Sequence, residues 1–411
     1  MIIASQRWES NKMSKLEELI TEYCPDGVEY KLVDELFDIK NGYTPLKSNS
    51  VFWENGSIPW FRMEDIRTNG RILSDAIQYI TPEAVKGNLL PANSLIMSTT
   101  ATIGEHALIT VDFLMNQQIT AFSLKEKFVN DAEMKFLFYC FFDFGKWCID
   151  NANKSGGMYI IGIQKLKQYL IPLPHPEIQR EIVRILDNFT ELTAELTAEL
   201  TAELTARKKQ YEYYRDSLLT FGDEDLCNSQ NYNMQNLSDV LKIKNGKDYK
   251  KFSEGEIPVY GSGGVIAYID KFAYNKPSVL IPRKGSIDKL YYTEQPFWTV
   301  DTIFYTEIND EIINPKFVYY YLQTQHLERL NTGGGVPSLT QGVLNKIEIP
   351  VPYPNDIEKS LKEQQRIVDI LDRFDALCND MTIGLPAEIA TRQKQYEYYR
   401  DKLLTFKEKQ V

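Results

Sequence analysis

A sixteen-residue segment occurs twice in this chain, and the repeat constrains the possible folds more than any other feature. ARKKQYEYYRDSLLTF at 206–221 returns as TRQKQYEYYRDKLLTF at 391–406, with 13 of 16 positions identical at an offset of 185. At the same offset, QREIVRILDNF (179–189) meets QQRIVDILDRF (364–374). Two long matches at one offset indicate an internal tandem duplication.

Shorter repeats mark the edges of two inserts. LFDIKNG (36–42) is echoed by VLKIKNG (240–246), and IPLPHP (171–176) by IPVPYP (349–354). Between these edges the two halves barely match, and both mix β-rich runs such as SVLIP with apolar helical stretches such as MKFLFYCFFDF. We therefore predict an α+β protein with two globular insert domains. The predicted boundaries are 1–12 as a leader or start-site ambiguity (Met13 opens a better helix than Met1), 13–176 and 236–354 as the two domains, 177–221 and 355–408 as helices, and 222–235 as a linker.

Each copy of the repeated frame is predicted to form a long helix. No Gly or Pro occurs from Glu177 to Phe221, and apolar residues recur at three- and four-residue steps. In the second copy Gly384 and Pro386 predict a break near 384–386. Because each helix has one apolar stripe that needs a partner, we expect the two to pack antiparallel as a coiled coil.

Three TAEL units, from Thr193 to Leu204, extend the first of these helices. Ala, Glu and Leu favour helix, and a step of four residues turns each leucine by about 40° around the axis. We interpret the run as a helical spacer whose length is set in whole units. The alternative is a slipped low-complexity repeat on a solvated helix.

The net charge of −11 opposes non-specific attraction to nucleic-acid phosphate. The charge is unevenly distributed, however. Residues 31–176 hold 14 Lys+Arg against 15 Asp+Glu, residues 236–354 hold 13 against 13, and residues 241–290 hold ten against five. A local basic face is therefore compatible with a protein that reads bases.

The sequence predicts a cytoplasmic protein with no membrane segment. No apolar run approaches the roughly 18 residues of a membrane span, and the start MIIASQRWESNKMSKLEEL lacks the pattern of a signal peptide. Five scattered cysteines, with no CxxC pair, fit reduced thiols.

No catalytic constellation is found in the sequence. It contains no phosphate-binding GxxxxGK[ST] loop, no GxGxxG and no Asn-Pro-Pro-aromatic methyltransferase signature, and its three histidines are far apart. Asp26, Glu29 and Lys31 imitate a metal-dependent nuclease, but all lie in one turn-like stretch, PDGVEYK. We expect no catalytic residue and no metal site.

The duplicated QYEYYRD-x-LLTF helix ends and the TAEL array resemble the specificity subunit of type I restriction–modification systems, and in particular the subfamily whose spacer carries TAEL repeats. The resemblance covers Met13 to about Phe406. It implies two target-recognition domains, each reading half of an asymmetric bipartite site in double-stranded DNA. It also implies that the helices set the gap between the half-sites and dock two adenine-methyltransferase subunits, and that an ATP-driven restriction and translocase subunit joins this host-defence assembly. The methyl donor and ATP are expected on those partners, so this chain is expected to bind no cofactor.

Candidate DNA-binding residues follow from base chemistry, because arginine reads guanine, Asn and Gln read adenine, and lysine positions phosphate. In the first insert they are Arg62, Arg67, Asn69, Arg71, Thr99, Thr100, Thr102, Asn116 and Gln117. In the second they are Lys247, Lys250, Lys251, Arg283 and Lys284, with Arg283 and Lys284 preferred. For each, a phosphate contact, a solvated side chain or a structural hydrogen bond is the alternative. Glycines at 261–264 and 333–335 offer backbone N–H groups to phosphate or simply form loops.

The repeated helix ends supply candidate partner-binding residues, spaced at three- and four-residue steps: Tyr211, Tyr214, Leu218, Tyr396, Tyr399 and Leu403. Their near-identity favours two copies of one partner surface, while packing of one helix against the other is the alternative. Two other classes of function stay open: a coiled-coil scaffold that does not bind DNA, and a self-contained nuclease or methyltransferase. Neither explains the duplication of frame and insert.

Overall fold

The computed structural model describes residues 15–153, 159–220, 232–331, 337–379 and 384–410. Four features discussed above lie outside these ranges: the predicted leader, Cys227, residues 222–231 of the predicted linker and the glycines at 333–335. The chain divides into two compact units. Unit 1 comprises residues 1–196 and 391–411, and unit 2 comprises residues 197–390. Both units mix helices and strands, which confirms the α+β class.

The described part of unit 1 contains ten short strands. They are β1 (Glu29–Leu32), β2 (Phe37–Asn41), β3 (Ile58–Phe61), β4 (Ile72–Leu73), β5 (Tyr79–Ile80), β6 (Ser94–Ser98), β7 (His106–Ile109), β8 (Leu114–Met115), β9 (Ile119–Leu124) and β10 (Leu170–Leu173) among the described residues. β2-β9-β6-β7-β4 form one sheet, β5-β3-β8 form a second, and β1 pairs with β10. β3 with β8 and β4 with β7 are parallel pairs, and the other pairs are antiparallel.

In unit 2, β11 (Tyr232–Asn236) pairs with β19 (Glu348–Pro352). The strands between them are β12 (Leu241–Asn245), β13 (Glu254–Gly261), β14 (Gly264–Ile269), β15 (Ser278–Pro282), β16 (Tyr291–Thr293), β17 (Trp298–Thr299) and β18 (Ile303–Ile308). Their order is β12-β18-β15-β16 in one sheet and β14-β13-β17 in another. β11 includes the end of the segment that we predicted as a linker. Its sequence YNMQN holds two Asn and one Gln, and Asn is disfavoured in strands, so the backbone pairing with β19 is what reveals it as a strand.

The longer helices are α1 (residues 15–23), α2 (Met63–Asn69), α3 (Met134–Asp150), α4 (Pro176–Leu219), α5 (Pro315–Thr324), α6 (Ile357–Asn379) and α7 (Leu385–Leu403). Single turns of α-helix occur at Val33–Leu36, Ile163–Leu166, Leu237–Val240 and Gln341–Leu344, and of 3₁₀-helix at Ser50–Phe52, Pro82–Ala84, Glu126–Phe128 and Leu327–Leu330. Among the helices that the structure describes, none is both long and apolar enough to cross a membrane.

In each unit a strand that is buried on both faces, β6 or β15, contributes side chains to two hydrophobic clusters. Along β6, Leu95 and Met97 pack with the phenylalanines of α3, while Ile96 packs into a second cluster with Phe61. Along β15, Val279 and Ile281 pack into one cluster and Leu280 into another. Successive side chains of a strand point to opposite faces, so continuous apolar runs such as SLIM and VLI fill both layers.

A buried glutamine in each copy of the frame anchors the insert. Gln179 on α4 accepts a hydrogen bond of 2.8 Å from the Glu133 N–H, just before α3. Gln364 on α6 accepts one of 2.7 Å from the Asn314 N–H, just before α5. Both glutamines are fully buried. Because an unpaired buried amide is costly, each of these contacts specifies how its insert sits on its frame helix.

The leucines that recur every four residues along α4, from Leu192 just before the first TAEL unit, differ in their surroundings. Leu192 is 53% exposed, whereas Leu200 is 8% exposed. The helix is continuous through this run. The exposures follow the rotation of about 40° per unit expected for a four-residue repeat.

Candidate nucleic-acid interface

In unit 1 the two parallel strands β3 and β8 end together, and polar candidates follow both. The Asn116 N–H donates to the Phe61 carbonyl at 3.1 Å, so Arg62 and Asn116 leave the sheet side by side. Gly42, the last residue of LFDIKNG, packs against this turn. A Cβ on Gly42 would lie 2.1 Å from the Asn116 carbonyl oxygen, so only glycine fits there.

Asn116 and Gln117 have different roles in this turn. The Asn116 side chain is 9% exposed and accepts a hydrogen bond of 3.0 Å from the Gln118 N–H. Gln117 is exposed and hydrogen-bonded to Thr44. Asn116 therefore supports the turn, whereas Gln117 is accessible to a ligand.

The arginines around α2 are held by carboxylates. Arg62 pairs with Glu64 at 2.9 Å, and Arg67 pairs with Glu105 at 3.3 Å. The Nε of Arg62 is buried, with no hydrogen-bond acceptor among the described residues. Asn69, the last residue of α2, is exposed. Arg67 and Asn69 thus remain accessible, although Arg67 would have to leave an exposed ion pair to contact a ligand.

Arg71 lies in different surroundings from the other candidates. It donates to the His106 carbonyl at 3.0 Å, and its guanidinium lies 5.2 Å from the centre of the Phe142 ring. Burial lowers the pKa of Arg71. His106 itself is 1% exposed, and burial, reinforced by Arg71, lowers its pKa to about 3. These contacts give Arg71 a packing role in the core, which its position in the sequence did not reveal.

The threonines of the first insert lie in the loop that follows β6. Thr99 is buried, and its hydroxyl lies 3.2 Å from that of Thr120. The Thr100 hydroxyl is also buried and has no partner among the described residues. The hydroxyl of Thr102 donates to the Ser98 hydroxyl at 3.4 Å. The backbone of this loop joins the turn described above, because the Thr99 N–H donates to the Gln118 carbonyl at 3.0 Å.

Unit 2 builds a similar edge from the second IKNG motif. The Lys247 N–H donates to the Thr299 carbonyl at 2.8 Å. A Cβ on Gly246 would lie 2.0 Å from the Val300 carbonyl oxygen, which repeats the close approach seen at Gly42. Nearby, the Arg283 N–H donates to the Thr302 carbonyl at 2.9 Å. The segment from Thr299 to Thr302 therefore brings Lys247 and Arg283 to the same edge.

Four of the five candidates in unit 2 are exposed lysines: Lys247, Lys250, Lys251 and Lys284. Lys251 lies 5.1 Å from the centre of the Phe252 ring, and the Lys250 N–H donates to Asp248. Arg283 is half-buried, and its guanidinium lies 5.1 Å from the centre of the Phe304 ring. Its Nε is buried without a hydrogen-bond acceptor in the described part of the chain. This edge offers four exposed lysines, and lysine ammonium groups are suited to contact with phosphate.

The glycines at 261–264 form the turn between β13 and β14. The Tyr291 hydroxyl donates to the Ser262 carbonyl in this turn at 3.1 Å. Among the residues that the structure describes, no three side chains of His, Cys, Asp or Glu are grouped as a metal site requires.

The tyrosines of the repeated helix ends fall on two faces. Tyr211 is 7% exposed and donates to Gln323, and Tyr214 stacks on Phe374 in unit 2. In unit 1, Tyr396 hydrogen-bonds Thr190 and Tyr399 stacks on Phe189. Leu218 and Leu403 are buried. The six candidates therefore make contacts within the chain, in agreement with the alternative of helix packing.

A third tyrosine in each copy is exposed, and our selection of residues missed it. Tyr213 is 63% exposed and Tyr398 is 62% exposed. They occupy the same position of the repeat. The helical period was sufficient to find them, because a residue two positions after the buried Tyr211 lies on the opposite side of the helix.

Comparison with known proteins assigns both halves to one family. A family model described as the type I restriction modification DNA specificity domain matches residues 25–206 and again 229–391. The chain is 38% identical over 390 residues to the type I restriction enzyme EcoprrI specificity subunit of Escherichia coli, across 90% of this chain and 93% of that protein. It is 31% identical over 216 residues to the type I restriction enzyme MpnII specificity subunit of Mycoplasma pneumoniae, across 50% of this chain and 63% of that protein.

Solved structures have the same fold. A chain from work on complex assembly and conformational transition of the type I restriction–modification system aligns with a TM-score of 0.66 at 16% identity, over 92% of this chain and 97% of that chain. The HsdS subunit from Thermoanaerobacter tengcongensis aligns with a TM-score of 0.51 at 15% identity, over 92% and 96% of the two chains. The two family matches confirm the tandem duplication.

Proposed function

This chain belongs to the family of type I restriction–modification DNA specificity proteins, whose members are non-catalytic, and we propose that its two inserts read the two halves of an asymmetric bipartite DNA site. One observation carries the proposal. Two inserts of different sequence present polar and cationic loops at an edge fixed by the same glycine contact, at Gly42 and at Gly246. A shared frame with different loops suits two different half-sites, because sequence is read by the side chains that reach base edges.

The frame helices set the gap between the half-sites in this proposal, packed antiparallel as a coiled coil. Contacts within unit 1 support that direction. Phe189 of α4 stacks on Tyr399 of α7, and Thr190, one residue later on α4, hydrogen-bonds Tyr396, three residues earlier on α7. The TAEL units lengthen α4 by roughly 6 Å each, so their number adjusts the gap, as in the TAEL-repeat subfamily.

Two adenine-methyltransferase subunits dock on the repeated helix ends in this proposal, and a restriction and translocase subunit joins them. Tyr213 and Tyr398 support the docking, because both are exposed and each lies in one copy of the repeat. The methyl donor and ATP are bound by those subunits, in the cytoplasm. This chain then supplies the recognition and the assembly.

The test is a reconstitution with the cognate methyltransferase subunit. Methylated adenines are mapped on a DNA library after incubation with the chain alone, the methyltransferase alone, and both together. We expect methylation only with both proteins, at one sequence with two specified parts and an unspecified gap. Methylation by the chain alone would indicate a self-contained enzyme. A complex that assembles but neither binds nor methylates duplex DNA would indicate a scaffold without DNA recognition.

A second arm assigns the inserts to the half-sites. Residues 236–348 are replaced by the second insert of another family member, and the methylated sites are mapped again. Because the inserts differ while the frames match, one half-site is expected to change. A change in both half-sites would contradict the assignment of one insert to each.

A further inference from the structure

Two loops with unrelated sequences have the same backbone contacts in the two units. One is STTATIG, at the end of β6, and the other is PRKGSID, at the end of β15. The Thr99 N–H donates to the Gln118 carbonyl at 3.0 Å, and the Arg283 N–H donates to the Thr302 carbonyl at 2.9 Å. Each pair is separated by 19 residues. Thr99 and Arg283 are therefore equivalent positions.

The next contacts of the loops extend this equivalence. The Thr99 carbonyl accepts from the Ile161 N–H at 3.0 Å, and the Arg283 carbonyl accepts from the Leu339 N–H at 2.9 Å. Thr100 forms an antiparallel bridge with Ile160, as Lys284 does with Ser338.

The tips of the loops share an uncommon backbone conformation. Ala101 has φ of +61° and Gly285 has φ of +80°, so both lie in the left-handed region. The Ala101 N–H donates to the Tyr159 carbonyl, and the Gly285 N–H to the Pro337 carbonyl, both at 3.2 Å. An alanine is strained in this conformation, because its Cβ approaches the following carbonyl oxygen. The fold imposes the tip on both sequences, since one of them lacks the glycine that would adopt it freely.

The side chains of the equivalent residues Thr99 and Arg283 point into the protein. Thr99 is buried against Thr120, and Arg283 packs over Phe304, which occupies the position equivalent to Thr120 in β18. The next residue, Thr100 in unit 1 and Lys284 in unit 2, differs between the units. Thr100 is half-buried and neutral, whereas Lys284 is exposed and has no carboxylate within 4 Å among the described residues.

We propose that Thr100–Ala101 and Lys284–Gly285 are equivalent tips that face the DNA phosphate backbone, and that the second tip binds a phosphate through an ion pair of Lys284, whereas the first carries no charge toward it. The inference rests on the proposed DNA-reading function and deepens it. Lys284 supports a phosphate contact, because an exposed lysine ammonium is a mobile point charge that suits phosphate better than a fixed base edge. The two half-sites then differ in the salt dependence of their contacts.

The experiment measures the affinity of the reconstituted complex for an unmodified DNA duplex that carries the sequence the complex methylates, over a series of salt concentrations. The plot of log K against log salt has a negative slope. Lys284→Thr is expected to make it less steep by about one, because one counterion-releasing contact is lost. Thr100→Lys is expected to make it steeper by about one. Both variants should methylate the wild-type sequence, because a phosphate contact carries no base preference.

Matched controls come from the opposite ends of the same strands. Lys276, which is 61% exposed, precedes β15, and Lys276→Thr removes the same charge. Ala92 precedes β6 at the equivalent position, so Ala92→Lys adds the same charge in unit 1. Neither control should change the slope.

The outcomes separate this inference from the proposed function. A wild-type complex without preference for its methylated site would refute DNA reading itself. If the preference holds and Lys284→Thr leaves the slope unchanged, the phosphate contact is refuted. A new methylated sequence in the Lys284→Thr complex would make the tip a base reader and would also overturn the proposal. Should Thr100→Lys fail to fold, Lys284→Thr alone decides, because Lys284 is exposed.

Discussion

The Tyr139 hydroxyl donates a hydrogen bond of 2.8 Å to Asp187, a residue of the frame helix α4. Lys135, one turn earlier on α3, donates to the other carboxylate oxygen at 2.7 Å. Unit 2 repeats the arrangement: Tyr320 donates to Asp372 at 2.6 Å and Lys316 at 2.8 Å. Both inserts, although different in sequence, are therefore attached to their frames by the same Lys–Asp–Tyr contact.

We expect Asp187→Ala to lower the free energy of unfolding by about 1–2 kcal/mol, because the partly buried Tyr139 hydroxyl loses its acceptor. Asp372→Ala should have the same effect through Tyr320. Urea denaturation checks the value, and a double-mutant cycle with Tyr139→Phe isolates the pair. Glu195→Ala, at an exposed acid of the same helix, is the control. Additivity of Asp187→Ala and Tyr139→Phe would contradict the assigned contact.

Buried His106 predicts a loss of stability in mild acid. Its pKa is lowered to about 3 in the folded chain, so below pH 6.5 the unfolded chain binds a proton that the folded chain does not. Stability therefore rises with pH between about 3 and 6.5. Between pH 7.5 and pH 5.0, this histidine should lower the free energy of unfolding by about 2 kcal/mol. His106→Phe, which keeps a ring between Phe138 and Phe142, should show a correspondingly smaller loss. Equal losses in the two proteins would remove His106 as the cause.

The proposed docking of two methyltransferase subunits predicts an effect of the exposed tyrosines. We expect Tyr213→Ala and Tyr398→Ala each to lower the affinity of one of the two proposed methyltransferase-binding sites by roughly tenfold. The reason is that a tyrosine at an interface often contributes more than 1 kcal/mol to binding. Titration calorimetry of the full chain reports affinity and stoichiometry, and thermal unfolding should be unchanged. Lys208→Gln is a matched control, because the equivalent position already carries Gln393. Two sites of wild-type affinity in both tyrosine variants would place docking elsewhere.

Deletion of one TAEL unit, Thr197 to Leu200, tests the spacer. It removes roughly 6 Å of helix and about 40° of rotation beyond a full turn, compared with about 3.4 Å and 34° for one base pair. We expect both half-sites to be kept with a gap one base pair shorter, at reduced activity because the packing of α4 is disturbed. Mapping of methylated adenines measures the gap, and Thr197→Ala, which keeps the length, is the control. An unchanged gap in an assembled, active variant would mean that the run is ordinary helix.

The left-handed tips predict opposite effects of two substitutions. Gly285→Ala should lower the free energy of unfolding by about 1 kcal/mol through backbone strain alone, because an added Cβ would lie 3.7 Å from the Ser262 hydroxyl, an ordinary contact. Ala101→Gly should raise it by about 0.5 kcal/mol, since relief of strain is partly offset by the greater freedom of the unfolded chain. Urea denaturation distinguishes the two signs. The same sign for both would show that the tips are not equivalent.

The duplication and the long helices could be predicted from the sequence because both are local or periodic patterns. The identity at a fixed offset needs no knowledge of contacts, and α4 begins at Pro176, where the prolines end. The strand Tyr232–Asn236 could not be predicted, because three of its five residues are Asn or Gln and its partner lies more than a hundred residues away.

The sequence indicated which candidate side chains have the chemistry to contact DNA, but it did not indicate which of them are buried or packed in the fold. Arg71 and Thr99 have suitable chemistry for DNA, yet one packs on Phe142 and the other is buried beside Thr120. Burial of a polar side chain depends on tertiary neighbours that the local sequence does not specify. The equivalence of Thr99 and Arg283 was likewise invisible, because backbone hydrogen bonds define it and no side chain is shared.

Strands β6 and β15 are buried on both faces, and this burial has a consequence for how the loops at their ends meet a ligand. Such a strand cannot slide along its axis without disrupting two hydrophobic layers, so the point from which its terminal loop starts is held in place. Less conformational entropy is then lost in positioning the loop when it binds. In the proposed complex, it is the duplex that adapts its groove width and local twist to these fixed strand ends. Discrimination between DNA sequences would then include their stiffness as well as their base edges.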